Sequence, residues 1–324
     1  MVKAIRIHEP GGPEVLRYED VEVPAPGAGE VLLQQKACGL NYIDVYQRMG
    51  VYPLSYPATI GMEGMGVVKA VGEGVSAFKP GDRVAYADNP PGAYAEARVM
   101  PWDRLVKLPD DIDDQTAAAM MLQGMTVEYL IRRTFKVNKG DTVLFHAAAG
   151  GVGLIACQWL NHIGATVIGT VGSKEKAELA KAHGCHHTIN YRSEDFVTRV
   201  KELTDGKGVP VVYDSVGKDT FDGSLDCLKP RGMMVLFGAA SGPVPPVDPN
   251  VLAKKGCLYL TRPSLMVYNK EREELEACAA ALFAMVTSGK VKIEVNQTYP
   301  LSDTAQAHRD LEARKTTGST VLLP

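Results

Sequence analysis

The sequence predicts an α/β protein in which a β-rich domain accompanies a doubly wound parallel sheet. Residues 1 to about 120 form short apolar runs separated by Pro–Gly turns, which is typical of a compact β domain. From about 124 to 262, apolar strands alternate with helices, which indicates a parallel sheet covered on both faces. A chain of 324 residues is long enough for two such domains. We expect them at residues 1–123, completed by 266–324, and at residues 124–265.

In the β-rich part, turns such as Lys79-Pro80-Gly81-Asp82 separate strands that include residues 30–34 and 66–71. We expect a helix at Asn41–Arg48 and a second whose first part is Asp110–Met121, where the acidic residues at its start suit the positive end of a helix.

The following part has a regular order of elements. We expect strands at 143–145, 166–171, 188–189, 209–214 and 233–237, and helices through Trp159 and Leu160 and at 173–183, 194–203 and 219–228. Ser173 is placed to cap its helix. The chain closes with helices at 271–288 and 302–314 and a strand at 320–323.

Between the first strand and helix of this part, Ala148-Ala149-Gly150-Gly151-Val152-Gly153 fits a dinucleotide fingerprint in which Ala148 replaces the first glycine. Gly150 lets the backbone approach a pyrophosphate, and Gly153 lets the helix pack closely on the strand. We expect the pyrophosphate to meet Ala149, Gly150, Gly151 and Val152 at the positive end of the helix.

The end of the next strand selects the dinucleotide. NAD sites usually carry an acid there that bonds the ribose 2′-hydroxyl, whereas this strand ends in Val171-Gly172-Ser173. A 2′-phosphate suits a site with a hydroxyl and cations and no carboxylate. We therefore expect NADPH, with Gly172, Ser173, Lys176 and Tyr191 around the 2′-phosphate. The alternative is that Lys176 is an ordinary solvated lysine.

Composition excludes several other classes. A net charge of -3 gives no reason to expect nucleic acid or an anionic membrane as a partner, and no apolar run approaches the ~20 residues of a membrane span. The six cysteines form no Cys-x-x-Cys pair, so we expect buried thiols in a reducing cytoplasm rather than zinc or redox sites. His186 and His187 are adjacent, and neighbours on a strand face opposite sides, so we do not expect them to bind one metal ion together.

Several motifs occur in an order that resembles a known superfamily. They are Ala37-Cys-Gly-Leu-Asn-Tyr-Ile-Asp44, Gly61-Met-Glu-Gly-Met-Gly-Val-Val68, Pro80-Gly-Asp-Arg-Val84, Gly92-Ala-Tyr-Ala-Glu96, Ala148–Gly153 and Leu260-Thr-Arg-Pro-Ser-Leu265. Over its whole length the chain resembles the medium-chain dehydrogenases/reductases and, among them, the NADPH-dependent quinone oxidoreductases related to zeta-crystallin. The resemblance implies a GroES-like catalytic domain, a Rossmann cofactor domain, an active site in the cleft between them, and a homodimer.

The chain departs from the zinc-dependent branch of that superfamily at two positions. Asn41 stands where those members have a cysteine, and Met62 where they have the histidine of Gly-His-Glu. Neither side chain replaces a thiolate or an imidazole as a zinc ligand. Without a Lewis acid, oxidation of an alcohol is a poor fit. We expect a metal-free reductase of quinones or conjugated carbonyls.

The resemblance also implies roles for particular residues. Asn41, Tyr46 and Tyr52 line the substrate cleft, and the two rings could hold a planar acceptor between them. Asp44 contacts the cofactor or, as an alternative, fixes its loop. The nicotinamide side is lined by Thr126, Phe237, Ser241, Thr261 and Arg262, and Arg314 reaches the phosphate region.

Two other functions stay open at this point. One is an NADPH-dependent reductase of α,β-unsaturated aldehydes, ketones or enoyl thioesters on the same scaffold. The other is non-catalytic, because some zeta-crystallins serve as lens proteins or bind AU-rich RNA. The charge balance argues against RNA as the main ligand.

Overall fold

The computed structural model describes all 324 residues, which form two compact units. The first unit consists of residues 1–125, 269–287 and 293–324, and the second of residues 126–268 and 288–292. The sequence-based division changed domain at 123/124 and 265/266 and gave residues 288–292 to the first domain.

The amino-terminal part of the first unit is built from short strands. They are β1 (Val2–Ile7), β2 (Arg17–Val21), β3 (Glu30–Leu40), β4 (Ala58–Thr59), β5 (Glu63–Val71), β6 (Arg83–Ala87), β7 (Ala97–Pro101) and β8 (Val106–Lys107). Helix α1 (Tyr42–Arg48) follows β3, and 3-10 turns lie at Pro13–Val15 and Trp102–Arg104. Helix α2 (Asp114–Tyr129) comes next; its last turn and the π-helical turn that follows, Leu130–Thr134, belong to the second unit.

The second unit alternates strands and helices. Its strands are β9 (Thr142–Phe145), β10 (Thr166–Val171), β11 (His187–Asn190), β12 (Val209–Asp214), β13 (Leu228–Leu236) and β14 (Tyr259–Thr261). Its helices are α3 (Gly151–Ile163), α4 (Lys174–Ala182), α5 (Phe196–Leu203), α6 (Phe221–Asp226), α7 (Pro249–Lys254) and α8 (Leu265–Tyr268).

All pairings in this sheet are parallel, and the strand order is β11-β10-β9-β12-β13-β14. The order reverses between β9 and β12, so ligands are expected at the carboxyl ends of these two strands. This arrangement confirms the predicted α/β class with a doubly wound parallel sheet.

The carboxyl-terminal part returns to the first unit with α9 (Arg272–Thr287), β15 (Val295–Pro300), α10 (Thr304–Glu312) and β16 (Ser319–Leu323). Strand β16 pairs antiparallel with β3, and the resulting sheet has the order β15-β16-β3-β5-β6-β8, with β7 also on β3. Side chains such as Leu33, Met100 and Leu322 fill its core.

Three predicted helix boundaries were wrong for identifiable reasons. Helix α2 starts at Asp114 rather than near Asp110, because the Asp113 carboxylate accepts the N–H groups of Gln115 and Thr116 and so fixes the first turn. The helix expected at 219–228 covers only Phe221–Asp226, since Leu228 already pairs with β12. The helix expected at 302–314 begins as a 3-10 turn and ends at Glu312. No helix in the chain combines the length and apolar character that a membrane crossing requires.

Candidate active site

The turn after β9 leaves the start of α3 open. Ala147 has a φ of +56°, and its carbonyl oxygen accepts the Gly150 N–H at 3.0 Å. Gly150 is the N-cap of α3 and has no capping side chain, so the first N–H groups of the helix point out of the turn without a side-chain partner. An uncapped helix start at the strand-order reversal is a ready site for a phosphate.

Two glycines of the fingerprint have different surroundings. A Cβ atom at Gly150 would lie 3.4 Å from the Ala147 carbonyl oxygen and meet nothing else within 4 Å, so the space beside Gly150 is open. A Cβ atom at Gly153 would lie 2.7 Å from the backbone of Ala148 and closer still to the Ala147 oxygen. Gly153 therefore packs the helix against the turn, while Gly150 leaves room for a ligand.

The carboxyl end of β10 carries the residues expected around a 2′-phosphate. Ser173 caps α4 by accepting the Lys176 N–H at 3.3 Å, which confirms its predicted capping role. Tyr191 is 41% exposed, and its hydroxyl lies 2.5 Å from where a Cβ atom of Gly172 would stand, so the tyrosine closely approaches the Gly172 backbone. Lys176 is half-buried.

One charged residue at this end of β10 escaped the sequence reasoning. Glu175 is fully exposed at the start of α4, and a hydrogen bond from Ser173 lowers the pKa of its carboxyl. It stands beyond the strand end, in the first turn of the helix. The strand end itself has no carboxylate.

The remaining candidates of the second unit have varied surroundings. Phe237 follows β13, and its ring centroid lies 5.8 Å from that of Phe145. The Ser241 hydroxyl donates to the Val216 carbonyl and accepts the Asp219 N–H, so it holds its own loop. Thr261 ends β14, the exposed Arg262 donates to the Pro263 carbonyl at 3.0 Å, and Thr126 is buried in α2. Arg314 lies in the first unit, exposed, just after α10.

The second unit also contains a buried polar network that the sequence did not reveal. His146 lies between Thr170 and Ser224, 2.9 Å from each hydroxyl, and Ser224 donates to Asp214 at 3.0 Å. All four side chains are at least 98% buried. They come from the ends of β9, β10 and β12 and from α6, so the network lies at the strand-order reversal.

In the first unit, Asn41 is the first residue of the candidate substrate segment, residues 41–52. Most of its polar groups make hydrogen bonds. Its amide nitrogen donates to Glu63 at 2.7 Å, its amide oxygen accepts from Gln123 at 3.2 Å, and its backbone N–H donates to Asp44 at 2.9 Å. The Asn41 side chain also caps α1 in a reciprocal box with Asp44. The second N–H of the amide makes none of these bonds.

Asp44 and Glu63 are fully buried carboxyls. Burial raises the pKa of Asp44 to about 7, against the opposing effect of a hydrogen bond from Tyr94. Burial likewise raises the pKa of Glu63 to about 8, opposed by the hydrogen bonds from Asn41 and Leu122. The burial of Asp44 favours its loop-fixing alternative over direct contact with a cofactor.

The aromatic candidates form a partly exposed cluster on and after α1. The rings of Tyr46 and Tyr52 meet edge to face, with centroids 5.8 Å apart, and Tyr52 is 38% exposed. Arg48 anchors this segment: its guanidinium is 1% exposed and makes two hydrogen bonds, of 2.8 and 2.9 Å, to Glu312. The guanidinium is therefore not available to an incoming anion.

Asn41 and Met62, which stand where the related branch has zinc ligands, make hydrogen bonds within the protein. Met62 is 1% exposed, and its sulfur accepts a hydrogen bond from Gln47 at 3.0 Å, while Asn41 is held by Glu63 and Gln123. The chain contains no cluster of three or more His, Cys, Asp or Glu side chains that could hold a metal ion.

The residues of the second unit fit a phosphorylated dinucleotide. The uncapped start of α3 and the open space beside Gly150 can take a pyrophosphate, and the end of β10 offers Ser173, Lys176 and Tyr191 to a further phosphate.

Comparison with known proteins identifies the family. Residues 27–110 match the model of the alcohol dehydrogenase GroES-like domain, and residues 151–282 that of the zinc-binding dehydrogenases. The chain is 54% identical to a quinone oxidoreductase of Pseudomonas aeruginosa over the full length of both, and 47% identical to a 2-haloacrylate reductase of a Burkholderia species over all of this chain and 99% of that one. A crystal structure of Escherichia coli quinone oxidoreductase complexed with NADPH superposes with a TM-score of 0.98 at 48% identity, covering 99% of this chain and 100% of that one. The chain belongs to the quinone oxidoreductase family of the medium-chain dehydrogenases/reductases.

Proposed function

We propose that the protein is an NADPH-dependent quinone reductase that works without a metal. The observation that carries the proposal is the uncapped start of α3 beside a β10 end that lacks a carboxylate. The full-length likeness to quinone oxidoreductases, one of them complexed with NADPH, supports the same conclusion.

In this proposal the backbone N–H groups of Gly151 and Val152 bind the pyrophosphate, and Lys176 pairs with the 2′-phosphate. When bound, the nicotinamide supplies a hydride to the acceptor. Tyr46 and Tyr52 orient a flat ring, and the leftover N–H of Asn41 can donate to an acceptor oxygen as it gains charge. A phenol with a pKa near 10 is a weak acid, so we assign hydrogen bonding to the tyrosine hydroxyls, and the proton that completes the hydroquinone comes from solvent.

A second candidate function is the reduction of a conjugated acid or carbonyl, because a relative of 47% identity is a 2-haloacrylate reductase. A haloacrylate is an anion, whereas the substrate segment proposed here has aromatic rings and a single arginine that Glu312 already occupies. This arrangement favours a neutral, flat acceptor.

Steady-state kinetics separate the two functions. We expect turnover of 1,4-benzoquinone and 9,10-phenanthrenequinone with NADPH and much weaker turnover with NADH. Activity confined to 2-chloroacrylate or a 2-alkenal would favour the second candidate. Failure to bind either nucleotide in a fluorescence titration would remove both.

We further propose that the protein is a cytoplasmic homodimer. Strand β14 is one of the two edge strands of the parallel sheet and exposes 59% of Tyr259, so a second copy could extend the sheet there. All six cysteines are free, which suits a reducing compartment. Light scattering after gel filtration should give twice the mass of the 34.9 kDa chain, and Tyr259→Asp should shift it toward the monomer.

A further inference from the structure

The backbone of Ala147 adopts a conformation that residues other than glycine rarely take. Its φ of +56° is in the left-handed region, which is unfavourable for a side chain that makes no local hydrogen bond. Such a conformation persists only where the surrounding structure holds it. Because the Ala147 oxygen closes the turn onto Gly150, this residue sets the direction in which α3 starts.

Thr170, at the end of β10, holds both amides of the turn. Its hydroxyl oxygen accepts the Ala147 N–H at 3.3 Å, and its carbonyl oxygen accepts the Ala148 N–H at 3.0 Å. Thr170 is 2% exposed, so its hydroxyl is shielded from solvent.

The hydrogen bonds that link Thr170 to Asp214 through His146 and Ser224 all have the same donor-to-acceptor direction. Asp214 receives hydrogen bonds on both oxygens, from the N–H groups of Val216 and Gly217 and from the hydroxyls of Thr220 and Ser224. Because the Ser224 hydroxyl donates its hydrogen bond to Asp214, its oxygen must accept a hydrogen bond from His146. The ring of His146 then carries its proton on Nε2, which leaves Nδ1 to accept from the Thr170 hydroxyl.

The reverse direction would leave hydrogen bonds unmade. If Ser224 donated to His146, it would withdraw its hydrogen bond from Asp214, and the Thr170 hydroxyl would have no acceptor in its buried position. A buried donor without an acceptor is costly. Burial also lowers the pKa of His146, which keeps the ring neutral with one N–H.

We propose that Thr170, His146 and Ser224 are positioning residues for the dinucleotide. Their hydrogen-bond chain, which ends on Asp214, fixes the Thr170 hydroxyl oxygen as the acceptor for the Ala147 N–H. This bond holds Ala147 in its left-handed conformation and so holds the phosphate-binding turn in place. This inference rests on the proposed nucleotide binding. None of the three side chains needs to touch the nucleotide, because each acts through the turn.

Thr170→Val tests the proposal, since valine keeps the shape of threonine and removes the hydroxyl. With one hydrogen bond lost, we expect NADPH to bind about fivefold more weakly, with the KM for the quinone unchanged. Thr170→Ser keeps the hydroxyl and should bind as the wild type does. Ala147→Gly adopts a positive φ without strain, so adding it to Thr170→Val should recover most of the affinity.

Hydrogen exchange of peptide 146–154, measured without nucleotide, gives an independent readout. The Ala147 amide, which loses its acceptor, should exchange faster in Thr170→Val and at the wild-type rate in Thr170→Ser. If Thr170→Val folds poorly, Ser224→Ala breaks the chain two hydrogen bonds away from Thr170 and should show the same two effects. A lower melting temperature with unchanged exchange and unchanged NADPH affinity would overturn the proposal. Wild-type protein that binds no NADPH would instead overturn the proposed function, and the exchange data would still report on the turn.

Discussion

The two glycines of the fingerprint should respond differently to the same added methyl group. In Gly153→Ala, the new Cβ atom would stand 2.7 Å from the backbone of Ala148, where real Cβ contacts are not found below 3.0 Å. The clash involves backbone rather than a flexible side chain, so the turn and α3 must move apart. Overpacking of this kind costs about 1–3 kcal/mol, and we expect a melting temperature several degrees lower.

In Gly150→Ala, the methyl group has ordinary contact at 3.4 Å, and the φ of -81° suits alanine. The protein should fold with only the modest loss of about 0.5–1 kcal/mol that alanine causes at an N-cap. The methyl group, however, fills the space assigned to the pyrophosphate. We expect NADPH affinity to fall at least tenfold, measured by fluorescence titration alongside thermal melting of both variants. Wild-type NADPH affinity in Gly150→Ala would refute our placement of the phosphates.

Three more predictions follow from the candidate site. Lys176→Ala should raise the KM for NADPH about tenfold, the size of one charge-assisted contact, and leave that for NADH unchanged; equal changes would contradict the cofactor assignment. Tyr52→Ala should raise the KM for 9,10-phenanthrenequinone severalfold without affecting the KM for NADPH, with Tyr52→Phe as the control that keeps the ring. Asp44 has a pKa of about 7 in the folded protein and about 4 when unfolded. Between these pH values the folded state binds the proton and the unfolded state does not, so stability falls as the pH rises from 4 to 7. Asp44→Asn should flatten this part of the pH dependence of the melting temperature, and an unchanged profile would argue against a neutral Asp44.

Local sequence rules predicted the second unit well, because its signals are short in range. The strand, turn and helix around Gly150 and the cap at Ser173 each depend on residues within a few positions of one another. The buried networks depend on register instead. Glu63 reaches Asn41 because Gly39 of β3 pairs with Glu63 of β5, and nothing in the spacing of 22 residues indicates that pairing. The same limit applies to His146 and Ser224, which are 78 residues apart.

A buried hydrogen-bond network holds the Asn41 side chain on both sides. A buried carboxyl such as Glu63 needs hydrogen-bond donors, and Glu63 receives them from the Asn41 amide and the Leu122 N–H. Gln123, itself held by Ser319 at 2.8 Å, then fixes the Asn41 oxygen. An aspartate at position 41 would lose both the N–H that Asn41 donates to Glu63 and the remaining N–H of the amide. The amide is thus suited to position 41 by the bonds it makes on both sides, and the orientation they impose determines where its remaining N–H can point.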